Sequence, residues 1–230
     1  MSIDFVSCLK HIEDPGGQSS IIDANNNDIA YLKQVITVLD PLHTDYQMID
    51  KYVRNTSFGE RFMIQRVFNV NRTEDASRFK RHLGNRMLLW HGSPVSNFPS
   101  IITNGLCLPS NCSNFGRGIY FADMINKSIG YCRRDSQGAF FVLCDVSLGA
   151  MKTETSWNSN GLTAINGYHS IKGVGRIYPD PSDVLDHPEG FRVPYGESAI
   201  RGPENLIHNE YVVYDESQIR IRYVVWCSAS

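Results

Sequence analysis

Leu88-Leu89-Trp90-His91-Gly92-Ser93 is an apolar, strand-like run with a histidine set at its mouth. Two later stretches repeat the pattern. Gly116-Arg117-Gly118-Ile119-Tyr120-Phe121-Ala122-Asp123 places Tyr120 among apolar neighbours, and Asn209-Glu210-Tyr211 places a carboxylate at the start of another apolar run. A polar group is expensive to bury without a partner. Three of them, from distant parts of the chain, point to one shared site.

Outward from these runs the pattern is strand-rich. Phe62–Val70 and Ala139–Val146 read as strands, the second being apolar throughout, as for a strand covered on both faces. Tyr211–Tyr214 and Ile219–Trp226 are separated by Asp215-Glu216-Ser217-Gln218, a spacing that predicts a hairpin. Ile29, Leu32, Val35, Ile36 and Leu39 repeat at helical spacing, with Asp28 as N-cap and Pro41 beyond the end. Short helices are also expected over Tyr46–Tyr52, over Thr73–Leu83 and from Ala122 or Asp123. Residues 1–27 read as a polar lead-in, not a core element, and residues 150–208 as a long irregular stretch. The class is α+β.

With 230 residues, 42% apolar and 20% charged, the chain has the composition of an ordinary globular protein. It holds no run long enough to span a membrane and no secretory leader at Met1-Ser2-Ile3-Asp4, so an intracellular location is expected. Six cysteines form no CxxC pair and no zinc-site spacing, so reduced thiols and no metal are expected. The net charge of −2 gives no case for nucleic-acid binding by the whole chain. The charge is uneven, however: residues 51–86 carry nine Lys/Arg against three Asp/Glu, and residues 176–217 the reverse. Neither Gly116-Arg117-Gly118 nor Gly173-Val174-Gly175 continues into a dinucleotide fingerprint, and there is no phosphate-loop sequence. Hydride-transfer enzymes of the Rossmann type and P-loop nucleotide hydrolases are thereby excluded.

Read together, the motifs resemble the catalytic domain of the poly(ADP-ribose) polymerases, closest in character to the DNA-damage-responsive members. The resemblance runs from about Ile29 to Val225. It is carried by Arg86–Ser93, Phe115–Met124, Asn126-Lys127-Ser128 with Tyr131-Cys132, His169–Gly175, Pro179-Asp180-Pro181-Ser182 and Asn209–Asp215. It implies a strand-rich ADP-ribosyltransferase fold, with antiparallel sheets flanked by short helices. Residues 1–40 would be a lead-in and the remnant of a helical regulatory segment, and residues 41–230 the catalytic domain.

The implied reaction transfers ADP-ribose from NAD⁺ to acceptor proteins and to ADP-ribose chains, releasing nicotinamide through an oxocarbenium-like transition state. NAD⁺ is consumed as a substrate, so no resident cofactor is expected. By the same resemblance His91, Tyr120 and Glu210 form the family's triad. His91 would bond the adenosine ribose, and Glu210 would polarise ribose hydroxyls on donor and acceptor. Gly92 would offer its backbone to the nicotinamide carboxamide, and Ser128 its hydroxyl. Ser93 would extend toward the adenosine, Tyr120 and Tyr131 would pack on the nicotinamide ring, and Lys127 would lie toward the acceptor. Alternatives are transfer of a single unit, or a module that binds NAD⁺ or ADP-ribose without turnover.

The resemblance favours a nuclear setting. It also shows departures. Residues 1–24 cannot make the helical bundle that precedes the damage-responsive catalytic domains, so activity independent of DNA is expected, and no DNA-binding module is recognisable. The loop Pro109–Asn114 is shorter than in the best-known polymerases, and Cys107 stands where they carry an arginine.

Overall fold

The computed structural model describes Val6, Leu9 and residues 26–132, 138–161 and 166–229. In chain order the first elements are α1 (Asn26–Val35), β1 (Ile36–Val38), α2 (Thr44–Asn55), β2 (Phe62–Val70) and α3 (Thr73–Arg78). Then come β3 (Arg86–Gly92), α4 (Phe98–Asn104), β4 (Ile119–Phe121), α5 (Ile125–Ile129) and β5 (Ala139–Ser147). Shorter strands follow: β6 (Met151–Glu154), β7 (Ser170–Gly173), β8 (Gly175–Pro179), β9 (Leu185–Asp186), β10 (Arg192–Val193), β11 (Ser198–Ile200) and β12 (Leu206–His208). The last are β13 (Glu210–Val213) and β14 (Ile219–Ala229).

A seven-stranded sheet in the order β1-β2-β14-β5-β3-β10-β9 forms the frame. Its pairings are antiparallel except that of β10 with β3. At its centre, all nine residues of β5 are buried. Alternation sends Phe141 and Leu143 to one face and Phe140, Val142 and Cys144 to the other, each face covered by its own apolar cluster. Each large side chain so covered contributes about 1.5–3 kcal/mol. A four-stranded sheet, β4-β13-β7-β6, and a three-stranded sheet, β11-β8-β12, complete the α+β fold.

The four-stranded sheet docks on the frame through one backbone bridge. Trp90 N–H donates to Ala122 O at 2.8 Å, and Ala122 N–H donates back to Trp90 O at 2.9 Å. This contact carries β4, and with it β13, to the mouth of β3.

Several expectations need correction. The helical repeat ends at Val35, because Ile36-Thr37-Val38 is β-branched and pairs with Val70, Asn69 and Phe68 as an edge strand. Much of the polar lead-in lies outside the described residues, but Val6 and Leu9 are buried in the same cluster as Leu32 and Phe68, so part of it is core. The helix expected over Thr73–Leu83 stops at Arg78 and resumes as a 3₁₀ turn at Arg81–Leu83.

No hairpin joins β13 to β14. β13 pairs β4 and β7, whereas β14 lies in the frame. The Asp215 carboxylate caps the 3₁₀ turn Glu216–Gln218 by accepting from Ser217 N–H at 2.9 Å, and Lys80 Nζ holds its other oxygen at 2.5 Å. The turn therefore carries the chain between sheets, since both faces of β13 are buried and it needs a neighbour on each side. Among its described residues the stretch 150–208 carries seven short strands, not irregular chain alone. Cys107, Cys112, Cys144 and Cys227 are free thiols, Cys132 Sγ donates to Phe140 O at 3.2 Å, and Cys8 lies outside the described residues.

Candidate active site

The bridge at Trp90 sets the histidine. His91, the next residue on β3, lies against the β4 backbone with its Nδ1 2.9 Å from Tyr120 O. A carbonyl only accepts, so Nδ1 carries the proton. Burial, set against that hydrogen bond, lowers the ring's pKa and keeps it neutral. Nε2 is then left as an acceptor, suited to a hydroxyl donor.

Gly92 ends β3 directly beneath α5. A Cβ there would stand 1.9 Å from the Ser128 carbonyl oxygen, so only glycine allows this packing. Ser128 is consequently buried beside the Gly92 backbone. Tyr131 follows the helix, its N–H bonded to Ser128 O at 3.1 Å, with its ring 57% exposed as a free wall.

Strand alternation sorts the remaining groups. On β13, Tyr211 and Val213 face one apolar cluster, whereas Val212 faces another that Tyr120 joins from β4. Val212 pairs with Tyr120 in register, which puts Glu210 and Tyr120 on one face. The Tyr120 hydroxyl donates to Gly116 O at 2.8 Å and accepts from Phe115 N–H at 2.9 Å. Both bonds tie down the loop before β4, and burial pushes the phenol's pKa up to about 12.

Glu210 is 4% exposed. Its Oε1 accepts from Lys127 Nζ at 2.7 Å. Burial alone would lower the ammonium's pKa, but the hydrogen bond and charge of Glu210 outweigh it and raise the pKa. The Lys127 ammonium also lies 5.5 Å from the Tyr131 ring centre. Two charges thus share a partly buried site in which they have mainly each other.

His91, Gly92, Tyr120, Lys127, Ser128, Tyr131 and Glu210 line one small pocket. His91, Tyr120 and Tyr131 also line a neighbouring groove of about 550 Å³, bounded by Ser93, Asn97, Leu106, Cys107 and Cys112. Ser93 is buried and its Oγ accepts from Asn97 Nδ2 at 3.0 Å. The eight candidate site residues read from the sequence therefore line one or other of these two spaces, which share His91, Tyr120 and Tyr131, and their dimensions suit an elongated ligand with one flat end.

Other members of the site's frame escaped the sequence reading. Buried Asp123 accepts at Oδ2 from Asn209 Nδ2 at 2.7 Å and from the Tyr211 hydroxyl at 2.9 Å. Burial raises its pKa against these bonds and the nearby charge of Lys172. Asn209 Oδ1 in turn accepts from Gly175 N–H at 2.9 Å. This network fixes the start of β13 from behind, and the alternation of Asn209 and Tyr211 about Glu210 was its sequence signal. His208 has its pKa lowered to about 4 by burial, then by the Lys127 and Arg176 charges.

The poly(ADP-ribose) polymerase catalytic domain family model matches residues 43–229. Poly [ADP-ribose] polymerase 1 of Caenorhabditis elegans is 35% identical over 227 residues, covering 92% of this chain and 24% of its own length. The poly [ADP-ribose] polymerase of Drosophila melanogaster is 37% identical over 215 residues, covering 86% of this chain and 21% of its own length. Poly [ADP-ribose] polymerase 2 of Arabidopsis thaliana is 33% identical over 243 residues, covering 97% and 38%. The chain thus spans between a fifth and two fifths of these relatives.

Two outcomes test the geometry. Gly92→Ala should destabilise the fold by about 1–3 kcal/mol in urea unfolding, because the helix holding Ser128 must move. His208 binds a proton in the unfolded chain below about pH 6.5 but in the folded chain only near pH 4. Its contribution to stability is therefore present at neutral pH and lost as pH falls from about 6.5 to 4. His208→Gln should show a shallower loss over that window than the parent chain, read as unfolding midpoints against pH.

Proposed function

Because this chain belongs to the poly(ADP-ribose) polymerase catalytic-domain family, we propose that it transfers ADP-ribose from NAD⁺ to acceptor proteins and to growing ADP-ribose chains, with release of nicotinamide. The observation that carries this reading is the partly buried Lys127–Glu210 pair at the small pocket, beside His91 and at the end of the long groove.

In this reading the nicotinamide lies in the small pocket. Its ring stacks on Tyr131 and packs beside Tyr120, where π-rich walls favour a cationic aromatic ring. The carboxamide bonds the Gly92 backbone and the Ser128 hydroxyl. The adenosine half lies in the groove, with His91 Nε2 accepting from a ribose hydroxyl and Ser93 beyond it. The bond between C1′ of the ribose and the pyridinium nitrogen breaks, its electron pair leaving with neutral nicotinamide. No general acid is needed for that departure. Positive charge develops on the ribose, and the Glu210 carboxylate stabilises it through a ribose hydroxyl.

The acceptor's oxygen then bonds to C1′ as its hydroxyl proton passes, by way of Glu210, to solvent water. Glu210 polarises the hydroxyl of an incoming ADP-ribose unit, which is what elongation requires. Lys127 holds the carboxylate in place between these events. NAD⁺ serves as substrate, so the chemistry calls for no resident cofactor or metal. The setting we assign is intracellular and nuclear, within the response to DNA damage, on the strength of the family resemblance. Among the described residues no helix is long and apolar enough to cross a membrane.

The test is a gel of the purified chain incubated with NAD⁺ labelled in its adenine half, with Glu210→Gln alongside. Wild type should give a high-molecular-weight smear. The variant should lose elongation while binding NAD⁺ within about three-fold of wild type, since the carboxylate acts on developing charge. A single sharp band from wild type would mean transfer of one unit only. Binding with no label transferred would replace the enzyme with a binding module.

A further inference from the structure

A second cavity, of about 270 Å³, lies on the reverse face of the strand that carries Glu210. Asn209 and Tyr211, which flank Glu210 and face away from it, form its floor with Asp123. Lys172, opposite Tyr211 in the β7–β13 register, enters from one side. Arg201 and Arg192 enter from the others, and Met87, Tyr178, Pro179 and Pro181 are among its less polar walls.

Three cations meet one carboxylate here, and that carboxylate is already engaged. Asp123 Oδ2 holds Asn209 and Tyr211. The Arg201 guanidinium lies 3.6 Å over the Tyr178 ring, which holds its plane in position. Its Nε is buried without a hydrogen-bond partner among the described residues. The Lys172 ammonium sits 5.3 Å from the Tyr211 ring centre. Burial lowers its pKa, the Asp123 charge opposes that, and the Arg201 and Arg192 charges lower it further, so the three cations and the carboxylate are within electrostatic reach of one another. Arg192 Nη2 has a neutral partner, Asn85 Oδ1 at 2.7 Å. The transfer reaction described above uses none of these cations.

Like charges gathered around a concave, partly desolvated space call for an anion carrying more than one negative charge. A guanidinium fork and an ammonium together match phosphate oxygens. The tyrosine and proline walls match the less polar face of an attached sugar. At roughly 30 Å³ per water, the space equals about nine waters. That accommodates a pyrophosphate or a phosphoribosyl group, not a whole dinucleotide. We propose that this cavity, framed by Lys172, Arg192, Arg201 and Tyr178, is a second binding site for an organic phosphate of the pyrophosphate class. Such a group occurs both in ADP-ribose polymer and in free nucleotides.

The test is calorimetric titration of the full chain with inorganic pyrophosphate, ADP and a short linear ADP-ribose oligomer. It is repeated for Arg201→Gln and for Arg192→Gln, the second at an exposed position. Saturable pyrophosphate binding should weaken about ten-fold in Arg201→Gln and about three-fold in Arg192→Gln, the effect of removing charge-assisted bonds. It should also weaken as salt is added. An oligomer that binds more tightly than ADP assigns the ligand to polymer, and equal affinities assign it to free nucleotide. Unchanged affinity in both variants, or no saturable binding at millimolar pyrophosphate, would overturn the proposal. Because neither arginine lines the groove or the small pocket, failure here leaves the Glu210 reading standing, and failure of the gel experiment leaves this one.

Discussion

Two hydrogen bonds between Trp90 and Ala122 hold the candidate site together. They join a large sheet, rigid because its centre is buried on both faces, to a small sheet that brings the other polar groups. Trp90 itself is fully buried, with Tyr52 and Phe141 ring centres at 4.9 and 5.9 Å, so the bridge cannot slide. Once it is in place, His91 must face Tyr120 O. Gly92 must meet Ser128, and β13, in register with β4, must deliver Glu210 to the same face as Tyr120. Sites held on strands in this way keep their geometry better than sites built on loops.

The electrostatics follow from that rigidity. Buried charges cost several kcal/mol each unless they are paired. Lys127 and Glu210 meet this condition for each other at the small pocket. Asp123 meets it with neutral donors behind the strand, leaving Lys172 and its arginine neighbours in excess on that side. The two faces of β13 therefore carry different chemistry. One holds a carboxylate ready to stabilise positive charge, and the other holds positive charge ready for an anion.

Much of this was legible in the sequence, and what was not has physical causes. β2 and β5 announced themselves, because a long apolar run bounded by turn residues has few other uses. The site residues could be read because His91, Tyr120 and Glu210 each interrupt an apolar strand, and because their motifs resemble one family in order. Pairing partners were harder. The four residues Asp215–Gln218 suit a hairpin, yet they connect two different sheets, since spacing fixes a turn but not the neighbours of the strands it joins. Ile36-Thr37-Val38 continues the helical period of α1 but forms a strand, because a free sheet edge at Val70 was available. The positively charged cavity was illegible altogether. Lys172 on β7, Arg192 on β10 and Arg201 just past β11 lie in or beside a stretch that is acidic overall, and only the folded chain brings them together.

In the proposed function the small pocket takes the nicotinamide end of the donor. The most direct measurement is a crystal structure of this chain soaked with nicotinamide. The ring is expected against Tyr131, with its carboxamide bonded to the Gly92 backbone and the Ser128 hydroxyl, and with Glu210 still held by Lys127. Nicotinamide bound away from Gly92, or a pocket that excludes it at saturating concentration, would contradict the assignment.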